Sequence, residues 1–275
     1  LFYTSELRKA YQKKEKQEQS LLNALKSGSF HYIYQPQVCL NTGEICGEEL
    51  LARWQDERKD ALSPGVFVPI IENMGKASVL NELAVKTIIH DLVSLSSVVK
   101  GPFRISVNIS PRVLSFAEHL HVLIDLLKPS LKAYPQFVVE FELTESDFMG
   151  NLKFFKDSFK AALNALSASG IKLAMDDFGV EYSSLNRLTE YTFDTIKIDR
   201  AFTKNLSNQN AKTSISIVKA VLNIAKELGY RVIAEGVEHQ AELDVLRSLD
   251  CGIVQGFCFH KPMPKKALIE LLSRV

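Results

Sequence analysis

From Phe30 to Arg53 the chain reads FHYIYQPQVCLNTGEICGEELLAR. Two runs rich in β-branched and aromatic residues, 30 to 38 and 45 to 53, flank Asn41-Thr42-Gly43. A connection that short is hairpin chemistry and leaves no room for a crossover helix, so the first strand is expected to run antiparallel to the second. Side chains two and four apart on a strand point the same way. That puts Glu49 and Arg53 on one face and sends Leu50 to the other.

Downstream the pattern changes. β-rich runs at 104 to 109, 137 to 143, 171 to 176, 194 to 199, 231 to 234 and 252 to 258 are interspersed with helical spacing at Leu80/Leu83/Leu92, Val113 to Leu127, Phe155/Phe159/Leu163/Leu166 and Ile215/Val218/Leu222/Ala225. Shorter helical pieces fall near 240 to 249 and 265 to 273. Eight strands separated by helices predict an α/β fold, a modified (β/α)8 TIM-like barrel with the first strand antiparallel. A doubly wound open sheet is the alternative, but no glycine-rich dinucleotide loop follows the early strands.

Length and charge are compatible with one such barrel: 275 residues, 33 Lys and Arg against 32 Asp and Glu, and 46% hydrophobic. A formal net charge of +1 gives no bulk positive field for a nucleic-acid polymer or an anionic membrane. Cys39, Cys46, Cys251 and Cys258 form no set with zinc spacing and read as reduced, mostly buried thiols of a cytoplasmic protein. The apolar run from Ala61 to Ile71 contains Pro and Gly and falls short of the roughly 20 residues a spanning helix needs, so no membrane contact is expected. Residues 1 to 19 read as a polar connector helix, with Gly28 a plausible stop for the apolar stripe Leu21, Leu22 and Leu25 that follows. Together with a start at Leu1, this suggests a piece of a longer protein with an upstream sensory or regulatory domain.

Chemistry in a barrel of this kind sits at the C-terminal ends of the strands. Those ends carry Glu49, Asn108, Glu142, Asp176, Asp177, Lys197, Glu235 and Gln255. A single acid after a strand is usually a helix cap or a solvated charge. Five carboxylates at one mouth would repel strongly with only Lys197 and Arg53 to compensate, which points to divalent cations. Oxygen ligands of this type suit Mg²⁺ or Mn²⁺, and two such ions with a lysine nearby suit in-line attack on a phosphate diester. Consecutive strand residues face opposite ways, so Asp176 and Asp177 both reach the mouth only if the chain leaves the strand there. Glu140 shares the face of Glu142 one layer deeper, with no partner evident in the sequence.

Glu49-Leu50-Leu51-Ala52-Arg53-Trp54 resembles the ExLxR signature of the EAL-domain family of cyclic di-GMP phosphodiesterases. Further motifs follow in the family's order: Gln35-Pro36, Ser63-Pro64 with Phe67-Val68-Pro69, Val107-Asn108-Ile109-Ser110-Pro111, Glu142-Leu143-Thr144-Glu145-Ser146, Asp176-Asp177-Phe178-Gly179, Lys197-Ile198-Asp199-Arg200, Ala234-Glu235-Gly236-Val237-Glu238 and Gln255-Gly256-Phe257. The resemblance spans about 21 to 275, so 20 to 275 is taken as the domain. It implies a barrel with a reversed first strand, and hydrolysis of one phosphodiester of cyclic di-GMP to linear pGpG.

The resemblance also implies roles. Glu49, Asn108, Glu142 and Asp176 would ligate one Mg²⁺ or Mn²⁺, and Asp176 and Asp177 a second with Glu235 close by. Lys197 would position or deprotonate the attacking water, Gln255 would help hold the water and metal shell, Arg53 would contact a phosphate, and Gln35 would line the substrate groove. Glu145 resembles the carboxylate that anchors the loop after Asp177, a loop the family couples to dimer contacts, so a homodimer is expected. In that loop Glu181 stands where the family has a second Gly, which adds strain if the position needs positive φ. A silent cyclic di-GMP receptor and a lysine-base metal lyase are the competing functions on the same fold.

Overall fold

The computed structural model describes residues 5–55, 61–179, 191–208 and 211–274. The Glu181 expectation lies outside them. β1 (His31–Cys39) and β2 (Ile45–Gln55) form the expected antiparallel hairpin. Gly43 at its turn has φ +75°, a conformation open to glycine without a Cβ penalty. A two-residue strand, β3 (Ala61–Leu62), pairs with the end of β2.

β4 (Phe103–Asn108), β5 (Phe137–Thr144), β6 (Lys172–Phe178), β7 (Thr195–Ile198), β8 (Arg231–Glu235) and β9 (Ile253–Gln255) then run parallel to one another and to β2. β1 closes the ring, antiparallel to both β2 and β9. The result is an eight-stranded barrel with one reversed strand and β3 appended. All eight expected runs are strands, although 252 to 258 shortens to three residues.

Alternation along the strands separates two environments. On β5, Val139, Phe141 and Leu143 face the helix layer and are fully or almost fully buried, while Glu140 and Glu142 face the barrel interior and are equally buried. Each fully buried large apolar side chain of that layer contributes about 1.5–3 kcal/mol. Leu50 joins this layer beside Ala84 and Ile88, as its parity requires. Glu48 shares that outer face, where burial and the charge of Asp91 push its carboxyl well above the ordinary range.

Helices Ala77–Leu95, Ala117–Ala133, Glu145–Ser169, Ala211–Leu228, Gln240–Ser248 and Lys265–Leu272 cover the barrel. Three details depart from the sequence reading. The helical stretch from Val113 to Leu127 is two helices, because Phe116 between them is extended (φ −121°, ψ 102°). Pro64–Asn73 is helical, with Pro64 in the first turn, where the missing N–H costs nothing. Of the four cysteines, all free, only Cys251 is buried; the others are half-buried.

The N-terminal helix Ser5–Ser27 passes residue 19 without a break. Its Leu21, Ala24 and Leu25 pack with Phe30, Trp54 and Phe67 in a small second core, and Gly28 at φ +68° ends it. No helix among the described residues is long and apolar enough to cross a membrane.

Candidate active site

The C-terminal ends of the strands converge on Lys197. Its Nζ lies 2.8 Å from Glu142 Oε2, 2.7 Å from Glu235 Oε1, and 3.4 Å from both Glu49 Oε2 and Asp176 Oδ1. The lysine is 1% exposed. Burial alone would lower its pKa, but the surrounding charges of Asp176, Glu142, Glu235 and Glu49 outweigh burial and raise it well above the usual value.

The carboxylates respond in opposite ways. Burial, reinforced by neighbouring acids, pushes Glu142 and Glu235 well above the ordinary range and raises Asp176. Glu49 is also buried, yet the Lys197 ammonium and the amide donors Gln255 and Asn108 hold it below. Asn108 Nδ2 donates to Glu49 Oε1 at 2.8 Å and Gln255 Nε2 to Glu49 Oε2 at 2.5 Å. Behind them Gln37 Nε2 donates to Gln255 Oε1 at 3.0 Å, extending an amide chain back to the reversed strand.

Asp176 and Asp177 both reach the mouth, by a route the sequence reading did not specify. The pairing of β6 with β7 shifts register between Met175 and Phe178, and Asp177 adopts φ +54°. Asp is among the few non-glycine residues that enter this region readily. Asp177 N–H donates to Asp176 Oδ1 at 2.9 Å, and Gly179, at φ +95°, donates its N–H to Glu145 Oε2 at 3.0 Å. Glu145 thus accepts a backbone N–H at the last described residue before the loop. Burial first, then the charges of Asp176 and Asp199, push the Asp177 carboxyl up to about 7. Asp176, Asp177 and Glu235 bring ligand atoms within 4.8 Å of one another.

Arg53 stands apart from the Lys197 cluster. It is half-buried at the rim and donates Nη1 to the Ala52 carbonyl at 2.8 Å. Gln35, paired across the hairpin with Glu49, lies 3.4 Å from Gln255 Nε2.

Two cavities flank the acids. One, of about 490 Å³, lies between β2, β4 and the helices Pro64–Asn73 and Ala77–Leu95; it reaches Asn108 and Glu142 and is lined largely by apolar side chains such as Leu51, Val68 and Leu80. The other, of about 220 Å³, is lined by Gln35, Glu49, Glu235, Arg200, Glu238 and Phe257. Phe257 is 49% exposed with the Lys261 ammonium 5.5 Å from its ring centre.

One layer below the mouth, Glu140 has found its partners. Arg104 Nη1 pairs with its Oε1, Thr195 Oγ1 donates to the same oxygen at 2.6 Å, and Ser106 Oγ to Oε2 at 3.4 Å. Sequence reasoning gave no role to Gln37 or Asn81 and quoted Asp199, whose charge acts on Asp177, only within a motif. Gln37 has the parity of Gln35, a signal that was present, but Asn81 sits on a helix and reaches the first cavity only through tertiary packing.

Comparison with known proteins agrees with this geometry. The chain is 32% identical over 257 residues to the cyclic di-GMP phosphodiesterase NbdA of Pseudomonas aeruginosa, covering 93% of this chain and 32% of that protein. It is 31% identical over 258 residues to the cyclic di-GMP phosphodiesterase RocR of the same organism, covering 92% and 62%. The chain thus spans less than two thirds of either relative. A structure of the EAL enzyme Bd1971 with cAMP and cyclic-di-GMP bound superposes with a TM-score of 0.84 at 27% identity, over 96% of this chain and 70% of that one. The EAL domain family model matches residues 18–262, which include every mouth residue described above, and the chain belongs to that family.

Proposed function

We propose that this domain hydrolyses one phosphodiester bond of cyclic di-GMP to give linear pGpG, with two divalent cations, Mg²⁺ or Mn²⁺, held at the mouth of the barrel. The carrying observation is the ring of four carboxylates, three buried and Glu235 half-buried, around a single ammonium. Acceptors exceed donors there: Glu142 Oε1 is buried and has no hydrogen-bond partner. A surplus of buried negative charge with an orphaned oxygen is the environment a hard cation satisfies, and the donor set is all oxygen. The residues present fit the ions.

Glu49, Asn108, Glu142 and Asp176 would hold one ion, and Asp176 with Asp177 the other, Glu235 lying beside it. Bound there, the ions would supply Lewis-acid charge and activate water for in-line attack. The chain's own residues do the rest. Gln37, Gln255 and Asn108 orient Glu49 through amide hydrogen bonds, fixing the angle of its carboxylate. Lys197, held as a cation, positions the attacking water and neutralises part of the acid cluster. Arg53 at the rim meets a substrate phosphate, for which a planar guanidinium is suited.

Shape supports a two-base substrate. The cavities lie on either side of the acids, so a cyclic dinucleotide laid across the mouth puts one base in each and its phosphates between them. Exposed Phe257, beside Gln35, offers a stacking face in the smaller cavity. The relatives NbdA and RocR carry the name of this activity. Residues 1 to 19 are read as the connector from an upstream sensory domain, and exposed Leu7 and Tyr11, one turn apart, fit helix pairing in a homodimer. The free thiols are suited to a reducing, cytoplasmic setting.

The test is direct: purified chain, cyclic di-GMP, and Mg²⁺ or Mn²⁺, with products separated by chromatography. Formation of pGpG that stops on chelation is expected. Tight binding without cleavage would make the domain a receptor instead.

A further inference from the structure

We infer that Asn81 lets the larger cavity accept either purine, so that the domain also hydrolyses the mixed guanine–adenine cyclic dinucleotide. This rests on the cyclic-dinucleotide reading above. Besides Glu142 Oε1 at the mouth, two polar side-chain atoms of residues lining that mostly apolar cavity are buried without a hydrogen-bond partner: Asn81 Nδ2, on a residue 3% exposed, and Ser110 Oγ, on a residue 7% exposed. Leaving such atoms unpaired in the interior is unfavourable, so they mark where a ligand supplies partners. A purine matches the space, with flat faces for the apolar walls and a polar edge for Asn81 and Ser110.

The edge chemistry decides which purine. Guanine presents an acceptor, O6, next to a donor, N1–H. Adenine presents a donor, the N6 amino group, next to an acceptor, N1. A carboxamide carries one donor group and one acceptor side by side, and half a turn about its last side-chain bond exchanges them. Asn81 can therefore pair with guanine in one orientation and with adenine in the other. A carboxylate in the same place would accept twice, matching guanine's N1–H and N2 amino group and opposing adenine N1.

The Ser110 hydroxyl, donor and acceptor at once, is equally tolerant. Large discrimination, of about 10⁴ or more, arises when a wrong ligand leaves buried polar groups unpaired. Here neither purine does so. The substrate has two bases and the smaller cavity is built differently, so the mixed dinucleotide is the sensitive probe.

The experiment compares kcat/KM of the purified chain for cyclic di-GMP and 3′,3′-cyclic GMP-AMP with Mn²⁺, in wild type and in Asn81→Asp. The mixed dinucleotide is expected within about tenfold of cyclic di-GMP in wild type, and Asn81→Asp is expected to penalise it by at least about 100-fold more than cyclic di-GMP. If wild type already rejects the mixed dinucleotide by more than about 10³-fold while cleaving cyclic di-GMP, the inference falls and the proposed function stands. If neither is bound, the cyclic-dinucleotide reading itself falls. Should both be bound and neither cleaved, the same ratios are read from dissociation constants. Should Asn81→Asp fail to fold by circular dichroism, the wild-type ratio decides alone.

Discussion

Two polar clusters lie inside the same barrel, one layer apart, and they are built with opposite logic. At the lower one a single carboxylate, Glu140, is surrounded by donors from Arg104, Thr195 and Ser106, and both of its oxygens are used. Half-buried Arg231 adds a further positive charge within reach. At the mouth a single ammonium, Lys197, is surrounded by four carboxylates, and Glu142 Oε1 is left over. The lower cluster is closed by the chain's own atoms. The upper one leaves a buried acceptor unpaired, and that difference, more than burial or charge as such, separates the two clusters.

The strongest way to break this comparison is to remove an acid from the open cluster. Glu49→Ala should abolish hydrolysis, a loss of at least about 10³-fold, the scale of losing a preorganised electrostatic contact in a buried site. Its circular dichroism spectrum should stay that of the wild type, and calorimetry should show weakened Mn²⁺ binding. A variant with near-normal turnover would remove Glu49 from the metal shell.

The closed cluster should respond in stability instead. Arg104→Met leaves Glu140 buried without its ion partner and should destabilise the barrel by about 3–5 kcal/mol, measured by urea unfolding. The double variant Arg104→Met/Glu140→Leu should recover most of that loss, since a hydrophobic pair replaces a buried ion pair at little net cost. Turnover per folded molecule should change less than threefold in both, on the order of the tenths of a kcal/mol seen between uncoupled sites. A large fall in turnover would mean the two layers act as one.

How far each cluster was readable in the sequence follows from its geometry. The mouth residues stand at strand ends, and strand parity assigns their face, so Glu49, Glu142, Lys197 and Glu235 were legible one strand at a time. Glu140 was legible as inward-facing, but its partner Arg104 needed the register of the adjacent strand, which sets Ser106 against Glu140. The hairpin between β1 and β2 announced its own direction through Asn41-Thr42-Gly43. Asn81 was hidden because helical spacing shows which face is buried, not which strand ends it approaches. Asp177 was half-readable: parity demanded a break in the strand, and only the structure supplies the left-handed residue that makes it.

Metal addition sharpens the contrast from the other side. Cations that bind the folded mouth and not the unfolded chain should stabilise wild type by about 2.7 kcal/mol at 100 times the dissociation constant. Glu49→Ala should show much less of this at the same Mn²⁺ concentration, and Arg104→Met should show all of it on its lower baseline. Thermal unfolding with and without Mn²⁺ reads all three. Equal metal stabilisation in the two variants would mean that the ion binds elsewhere.

The smallest expected effect concerns the edge of the open cluster. Glu145 is 4% exposed and accepts the Gly179 N–H, holding the turn through which Asp177 reaches the mouth. Glu145→Gln keeps a side-chain oxygen of the same reach but removes the charge. Hydrogen bonds to charged groups are worth about 1.5–3 kcal/mol against 0.5–1.5 for neutral ones, so the loss should be near 1 kcal/mol. If that loss falls on the turn, Mn²⁺ affinity drops about fivefold and kcat by a similar factor, with KM nearly unchanged, since 1.4 kcal/mol corresponds to tenfold. Glu145→Ala, which leaves the Gly179 N–H without its acceptor, should lose more in the same order. A purely structural role would instead lower the unfolding temperature of both variants while leaving metal affinity untouched, and Glu145 would then belong with Glu140 among the groups that the chain satisfies by itself.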